Sequence, residues 1–171
     1  MTKVFGLCGW SGSGKTDLIC RLIEFYTKRN IVVSTIKHTH HKIKIDKEGK
    51  DSYKHRIYGA HEVIVGGLGN FALIHSGLKK KEYSIAYLKN RLSKENDLIL
   101  VEGFKKTKIP KIEIYNSNIK KTLIYKSNES VKAIVYDRND KKLSNCNLPK
   151  FNFYDTRAIA KFISDFLELE S

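Results

Sequence analysis

Residues 9 to 16 read GWSGSGKT, which matches the phosphate-binding pattern G-x-x-x-x-G-K-[ST]. An apolar run, KVFGLC, precedes this stretch and an amphipathic run follows it, so we expect a strand, a loop and a helix in that order. Small residues let successive backbone N–H groups converge on phosphate oxygens, and the helix directs its positive end at the same charge. The candidate nucleotide-binding residues are Gly9, Ser11, Gly12, Ser13, Gly14, Lys15 and Thr16.

One side chain of this loop and one distant carboxylate form a candidate magnesium site, with the loop lysine beside them. Lys15 is expected to reach the β and γ phosphates of a nucleoside triphosphate, and the Thr16 hydroxyl is expected to bind Mg²⁺. A second ligand usually comes from a neighbouring buried strand. The stretch DLILVEG places Glu102 at the end of four apolar residues, at the edge where open α/β sheets bind ligands. We therefore predict Thr16 and Glu102 as metal ligands and Glu102 as a catalytic residue, with an ordinary strand-end acid as the alternative.

The stretch KHTHHKIKIDKEGKDS, residues 37 to 52, allows three interpretations. We predict a polar loop that closes over the phosphates, with His38 as a nucleotide-binding residue and Asp46 as a catalytic residue that positions water. His38, His40 and His41 together could instead bind a transition metal, because imidazole is the commonest nitrogen ligand. The absence of a nearby cysteine and the many lysines argue against a metal. By composition alone, a mobile surface loop is the default.

The composition limits the classes of function. The chain has 171 residues and a net charge of +14, and 26 of its 32 basic residues are lysine. Specific base recognition favours arginine, so the charge indicates a solvated basic surface attractive to anions or acidic proteins, and no specific nucleic acid. Neither a signal peptide nor a membrane span is evident, which predicts a cytoplasmic protein. The three cysteines lack metal-ligand spacing, and we expect Cys8 and Cys20 to be buried.

Strand-length apolar runs alternate with helical patterns along the chain. Helical periodicity is clearest in three segments, which lie directly after the loop, around residues 85 to 92, and after a predicted N-cap at Asp155. The runs EVIVGG and FALIHS, joined by LGN, predict a local hairpin. The fold class is therefore α/β and P-loop NTPase-like, with a mainly parallel sheet, helices on both faces and one hairpin. We expect a single nucleotide-binding domain over residues 1–171.

The stretches GLCGWSGSGKT, STIKHTHH, GKDSYKHRIYGA, DLILVEGFK and PKIEIY together resemble the MobB family, the molybdopterin-guanine dinucleotide biosynthesis adapter proteins. The resemblance covers most of residues 4 to 115. It implies a homodimer that binds GTP, hydrolyses GTP weakly at most, and assists the guanylyltransferase that joins a GMP unit to a molybdopterin-type cofactor.

The chain departs from the family pattern at several places, among them Asn116, which stands after KIEIY where a basic residue is expected. Asp17 stands where a second threonine is common, and because it lies close to the expected phosphates we include it among the candidate nucleotide-binding residues. The chain has no guanine-reading N-K-x-D element, and we assign Asp137, at the end of VKAIVY, as the acceptor for the guanine edge. A P-loop small-molecule kinase is the alternative function, although six arginines offer little for a phosphate lid. A metal-delivery GTPase, suggested by the histidines alone, is third.

Overall fold

The computed structural model describes residues 1–39, 43, 45–77 and 82–169. Its contacts divide the chain into two compact units, one formed by Met1–His38 with Ile85–Ser171 and the other by Thr39–Ser84. The expectation of one domain over residues 1–171 stays a prediction.

The first unit is built on a six-stranded parallel sheet in the order β2-β5-β1-β6-β7-β8. The strands are β1 (Lys3–Cys8), β2 (Val33–Lys37), β5 (Leu98–Glu102), β6 (Lys111–Tyr115), β7 (Val131–Tyr136) and β8 (Lys150–Asn152). Because all six strands are parallel, the carboxyl ends of the central strands meet at one edge, and the loop after β1 lies at that edge.

Helices cover both faces of this sheet. α1 (Lys15–Thr27) and α4 (Thr156–Leu167) pack together on one face, and the short α3 (Ile85–Lys89) lies on the other. Each face of the sheet has its own hydrophobic core, and alternate side chains of β5 contribute to the two cores. Leu98 and Leu100 pack with α1 and α4, while Ile99 and Val101 pack with α3. The predicted mainly parallel α/β fold with helices on both faces is therefore confirmed.

The three predicted helical segments correspond to α1, α3 and α4. Asp155 caps α4, because its carboxylate accepts a hydrogen bond from the backbone N–H of Ala158 at 3.0 Å. Cys8 is buried as expected, but the expectation for Cys20 is wrong, since it lies on an exposed position of α1. Among the described residues, no helix combines the length and apolar character needed to cross a bilayer.

The second unit contains α2 (Asp51–Ile57) and the antiparallel hairpin of β3 (Glu62–Gly67) and β4 (Asn70–His75). The predicted hairpin is confirmed, with Gly67 paired to Asn70 at its tip. The helix α2 was not predicted, because its sequence DSYKHRI buries no residue and carries no apolar stripe.

Candidate nucleotide-binding site

The loop between β1 and α1 depends on glycine at two positions. Gly9 has φ +153°, and a Cβ there would lie 2.5 Å from Ser13 Oγ and 2.6 Å from the Ile114 carbonyl oxygen. Gly14 has φ +93°, and a Cβ there would lie 2.8 Å from the Phe153 ring. A larger residue at Gly9 would displace the loop backbone, and the positive φ at Gly14 disfavours any other residue there, so the glycines of the sequence pattern have a steric cause in this chain.

The start of α1 has the features of an anion site. Gly14 occupies the N-cap position, and within the described residues no side chain caps the helix. The first N–H groups of a helix have no intrahelical partner, and the helix dipole gives that end a partial positive charge. Ser13 Oγ is buried and has no hydrogen-bond partner among the described residues. The loop therefore contains donors that a bound phosphate can satisfy.

Lys15 adds a full positive charge beside these donors. Its Nζ donates to the carbonyl oxygen of Trp10 at 2.8 Å, so the side chain folds back over the loop. Burial lowers the pKa of Lys15, while the carboxylate of Glu102 raises it and Lys105 lowers it further. A cation that is partly desolvated in this way interacts strongly with an incoming anion, because little water has to be displaced from it.

Thr16 and Glu102 lie together, as the spacing of the two motifs predicts. The Thr16 hydroxyl donates to Glu102 Oε1 at 3.2 Å, and Lys37 Nζ lies 3.3 Å from Glu102 Oε2. The parallel pairing of β5 with β1 and β2 produces this juxtaposition, because it brings all three strand ends to one edge. A hydroxyl and a carboxylate are the oxygen ligands that Mg²⁺ prefers, so the residues fit that ion.

His38 lies beside Glu102. Its backbone N–H donates to the Glu102 carbonyl oxygen at 2.9 Å, and its ring packs against Phe104 with the centroids 4.5 Å apart. Gly103, with φ +92°, lies close to the His38 main chain, since a Cβ there would lie 3.2 Å from His38 Cβ. The structure therefore brings His38, Thr16 and Glu102 to the same sheet edge.

Lys111 is a site-supporting residue that the sequence did not indicate. The whole residue is buried, and its Nζ donates to the carbonyl oxygens of Phe104 at 3.0 Å, Thr107 at 2.7 Å and Lys105 at 3.3 Å. Burial lowers its pKa. These bonds fix the loop that directly follows Glu102, so Lys111 is a positioning residue for that carboxylate.

Asp17 and Asp137 also belong to the first unit. Asp17 is exposed in the first turn of α1 and pairs with Arg21 at 3.1 Å. Asp137 follows β7, and its carboxylate accepts hydrogen bonds from the backbone N–H of Ser117 at 2.9 Å and the Ser117 hydroxyl at 2.8 Å. Burial would raise the pKa of Asp137, but these hydrogen bonds outweigh it and hold the pKa below the usual value.

Asp46 belongs to the second unit, where it stabilises α2. It accepts hydrogen bonds from the Ser52 hydroxyl at 2.8 Å and from Arg56 Nε at 3.3 Å. These contacts show that the Asp46 carboxylate stabilises local structure, which the sequence did not suggest. Its catalytic role stays a prediction. The metal alternative for His38, His40 and His41 rests on His40 and His41, which lie outside the described residues.

A lysine-rich groove opens beside the nucleotide loop. It has a volume of about 1130 Å³, and Trp10 of the loop forms part of its wall. The Nζ of Lys105 lies 3.9 Å from the centroid of the Trp10 ring, and the Trp10 indole N–H donates to the Thr122 carbonyl oxygen at 2.8 Å. The lysines that line the groove are Lys105, Lys106, Lys108, Lys126 and Lys132. The net positive charge of the chain is thus concentrated in part next to the candidate site.

A glycine-rich loop between the first strand and first helix of a parallel α/β sheet, with a lysine and a threonine beside a strand-end carboxylate, defines a P-loop NTPase-like protein. The family model described as molybdopterin guanine dinucleotide synthesis protein B matches residues 4–137. The chain belongs to this family.

Named relatives agree with the family model. A molybdopterin-guanine dinucleotide biosynthesis adapter protein of Haemophilus influenzae is 40% identical over 121 residues, which are 70% of this chain and 67% of the relative. The adapter protein of the same name from Escherichia coli is 40% identical over 116 residues, 67% of this chain and 66% of the relative. The matched residues thus span about two thirds of each relative.

Solved structures share the fold. The crystal structure of Bacillus subtilis MobB superposes with a TM-score of 0.76 at 24% identity, over 98% of this chain and 99% of that one. A crystal structure of molybdopterin-guanine biosynthesis protein B gives a TM-score of 0.74 at 24% identity, over 96% of this chain and 99% of that one.

Proposed function

We propose that this chain is a GTP-binding adapter protein of molybdopterin-guanine dinucleotide biosynthesis, with at most weak GTP hydrolysis. The observation that carries the proposal is the arrangement of Lys15, Thr16 and Glu102 around the start of α1 in a member of this family. The N–H groups of the loop and the Lys15 ammonium suit phosphate groups. The biosynthetic pathway is inferred from the family to which the chain belongs. His38 and Asp46 remain candidate residues for closing or ordering the phosphate side of the site.

A binding and turnover assay tests this function. GTP and ATP are titrated into the full chain with Mg²⁺, and the chain is then added to a molybdopterin guanylyltransferase with its molybdopterin-type acceptor. We expect GTP to bind more tightly than ATP, slow or no hydrolysis, and faster formation of the dinucleotide cofactor. Phosphoryl transfer from the nucleotide to a small acceptor by the chain alone would indicate the kinase alternative instead.

We assign base recognition to Asp137. A carboxylate can accept two hydrogen bonds from the guanine edge, and the lowered pKa of Asp137 keeps it ionised for that purpose. Its position after β7, at the ligand edge of the sheet, supports this role. The bonds from Ser117 orient the carboxylate while leaving it further lone pairs.

Mg²⁺ bound by Thr16 and Glu102 would screen the charge of the phosphates, and Glu102→Gln tests this role. The amide keeps the shape of the side chain and removes its charge. We therefore expect GTP affinity without Mg²⁺ to stay within about threefold of the parent, while the gain on adding Mg²⁺ falls by about tenfold, one lost charge-assisted contact. Calorimetric titrations with GTP, with and without Mg²⁺, measure both quantities.

Glu95→Gln is the matched control, because Glu95 is exposed in the turn before β5. It should leave the Mg²⁺ dependence unchanged. If GTP affinity depends on Mg²⁺ equally in Glu102→Gln and the parent, Glu102 is an ordinary acid at the end of a strand and does not bind Mg²⁺.

We place the homodimer contact on the hairpin of β3 and β4. Five apolar side chains of this hairpin are exposed: Ile64, Val65, Leu68, Phe71 and Leu73. In the described residues the sheet has two strands, and an isolated two-stranded sheet is marginally stable with two edges free for pairing. A second copy presents the same apolar surface and the same edges, so a two-fold contact can cover apolar side chains of both copies and pair one edge of each hairpin.

Phe71→Asp is therefore expected to convert the dimer to a monomer, because it buries a carboxylate in an apolar contact. Light scattering coupled to size-exclusion chromatography measures the mass. Tyr154→Asp, a change at an exposed aromatic residue of the first unit, should leave the dimer intact. A parent chain that is monomeric at all concentrations tested would remove this part of the proposal.

We propose that the guanylyltransferase binds at the lysine-rich groove. The groove is open and its lysines are long and flexible, which suits an acidic protein surface better than an enclosed small molecule. Its position beside Trp10 would bring the partner to the edge of the nucleotide loop. The cytoplasmic location stays a prediction.

A further inference from the structure

Three potential metal ligands meet at the open end of the hairpin. His61 directly precedes β3, Glu62 begins β3, and His75 ends β4. The antiparallel register pairs Glu62 with His75, and the backbone N–H of Ser76 donates to the His61 carbonyl oxygen at 2.8 Å. The backbone pairing therefore holds all three side chains in one place, and it does so within the second unit alone.

The donor atoms are close enough to share one ion. One ligand atom from each of the three side chains lies within 4.8 Å of the other two. His75 Nδ1 is 2.7 Å from Glu62 Oε1, and the rings of His61 and His75 have centroids 4.7 Å apart. Two ligands of a tetrahedral ion at about 2.0–2.1 Å are separated by about 3.3 Å. Binding thus requires Nδ1 and Oε1 to move apart by about 0.6 Å.

Tyr83 provides a hydrogen-bond partner for the second ring nitrogen of His75, as is usual for a histidine that binds a metal ion. Its hydroxyl lies 2.7 Å from His75 Nε2, the nitrogen that faces away from Glu62. Histidine ligands usually hydrogen-bond through their second nitrogen, which fixes the ring orientation and raises ligand basicity. The Tyr83 contact therefore orients Nδ1 of His75 towards the carboxylate and towards the space that an ion would occupy.

We propose that His61, Glu62 and His75 form a binding site for a divalent transition-metal ion such as Zn²⁺, with a fourth coordination position open to solvent. Two imidazole nitrogens and one carboxylate oxygen select zinc, nickel or cobalt over magnesium and calcium. A simple cross-strand ion pair explains Glu62 and His75, but it does not explain the approach of the His61 ring or the Tyr83 contact to the second nitrogen. The ion would join the two strands where the hairpin opens, independently of the nucleotide site.

Calorimetric titration of ZnCl₂ into the full chain tests the site. We expect one ion per chain with release of protons, since bound histidines must be neutral. His61→Ala and His75→Ala should each weaken Zn²⁺ binding by at least about tenfold. Tyr83→Phe should weaken it by about tenfold, because loss of a hydrogen-bond partner of a ligand costs about 10–100-fold in metal affinity. X-ray absorption of the zinc-loaded parent should report two imidazole ligands, a readout that needs no variant to fold.

Two controls separate this site from other histidines. His55→Ala, at an exposed position of α2, should bind Zn²⁺ like the parent. A double change of His40 and His41 to alanine tests the histidine run of the sequence and should also retain binding. Unchanged affinity in the His61→Ala, His75→Ala double variant, or loss of binding only in the His40 and His41 variant, would overturn the proposal.

Discussion

Replacing Lys15 by alanine is expected to weaken GTP binding by about 10- to 150-fold, which corresponds to the loss of about 1.5–3 kcal/mol from a charge-assisted contact. Lys15 is the loop cation, and its Nζ bonds to the Trp10 carbonyl, from which it can turn to the phosphates. Calorimetric titration of GTP with Mg²⁺ into parent and variant measures the loss.

The same substitution should leave the fold intact. Burial already disfavours the charged form of Lys15, so folding gains little from this side chain, and the midpoint of thermal unfolding should hardly change. Lys28→Ala is the matched control, because Lys28 is exposed at the other end of α1, where it pairs with Glu24. Parent-like GTP affinity in Lys15→Ala would refute the assignment of the loop.

Local sequence signals predicted the sheet and the nucleotide loop because both depend on residues close together in the chain. A parallel strand buried on both faces is a continuous apolar run, which is what Leu98 to Val101 provides. The loop pattern fixes the positions of its glycines, and Gly9 and Gly14 have the backbone conformations that this role needs. The meeting of Thr16 with Glu102 followed from the rule that parallel strand ends share an edge.

The environment of β6 could not be predicted in this way. In KIEIY the polar residues alternate with apolar ones, a pattern typical of a strand with one solvated face. The structure instead buries Lys111 and Glu113. Their partners come from other segments: loop carbonyls accept from Lys111, and the backbone N–H groups of Ile124 and Tyr125 donate to Glu113 at 2.8 and 2.9 Å. Strand periodicity carries no information about such distant backbone partners.

Lys111→Met is expected to destabilise the protein by about 2–4 kcal/mol. Methionine keeps most of the side-chain volume, but it cannot donate to the carbonyl oxygens of Phe104 and Thr107. An acceptor left unsatisfied costs about 1–3 kcal/mol, towards the lower end here because these carbonyls are partly buried. The relief of a desolvated cation offsets only part of this cost, because the partly buried acceptors lose a charged donor. Chemical denaturation of parent and variant measures the difference.

Lys132→Met is the control on the adjacent strand β7, since Lys132 donates to the Glu129 carbonyl oxygen at 2.9 Å near the surface. It should change stability by less than about 0.5 kcal/mol. The two variants should also differ in hydrogen exchange over residues 103–108, which becomes faster only when Lys111 is lost. Because that loop follows Glu102, Lys111→Met should reduce the Mg²⁺ dependence of GTP binding as well. A variant as stable as the parent, with unchanged exchange in the loop, would show that these carbonyls find other donors.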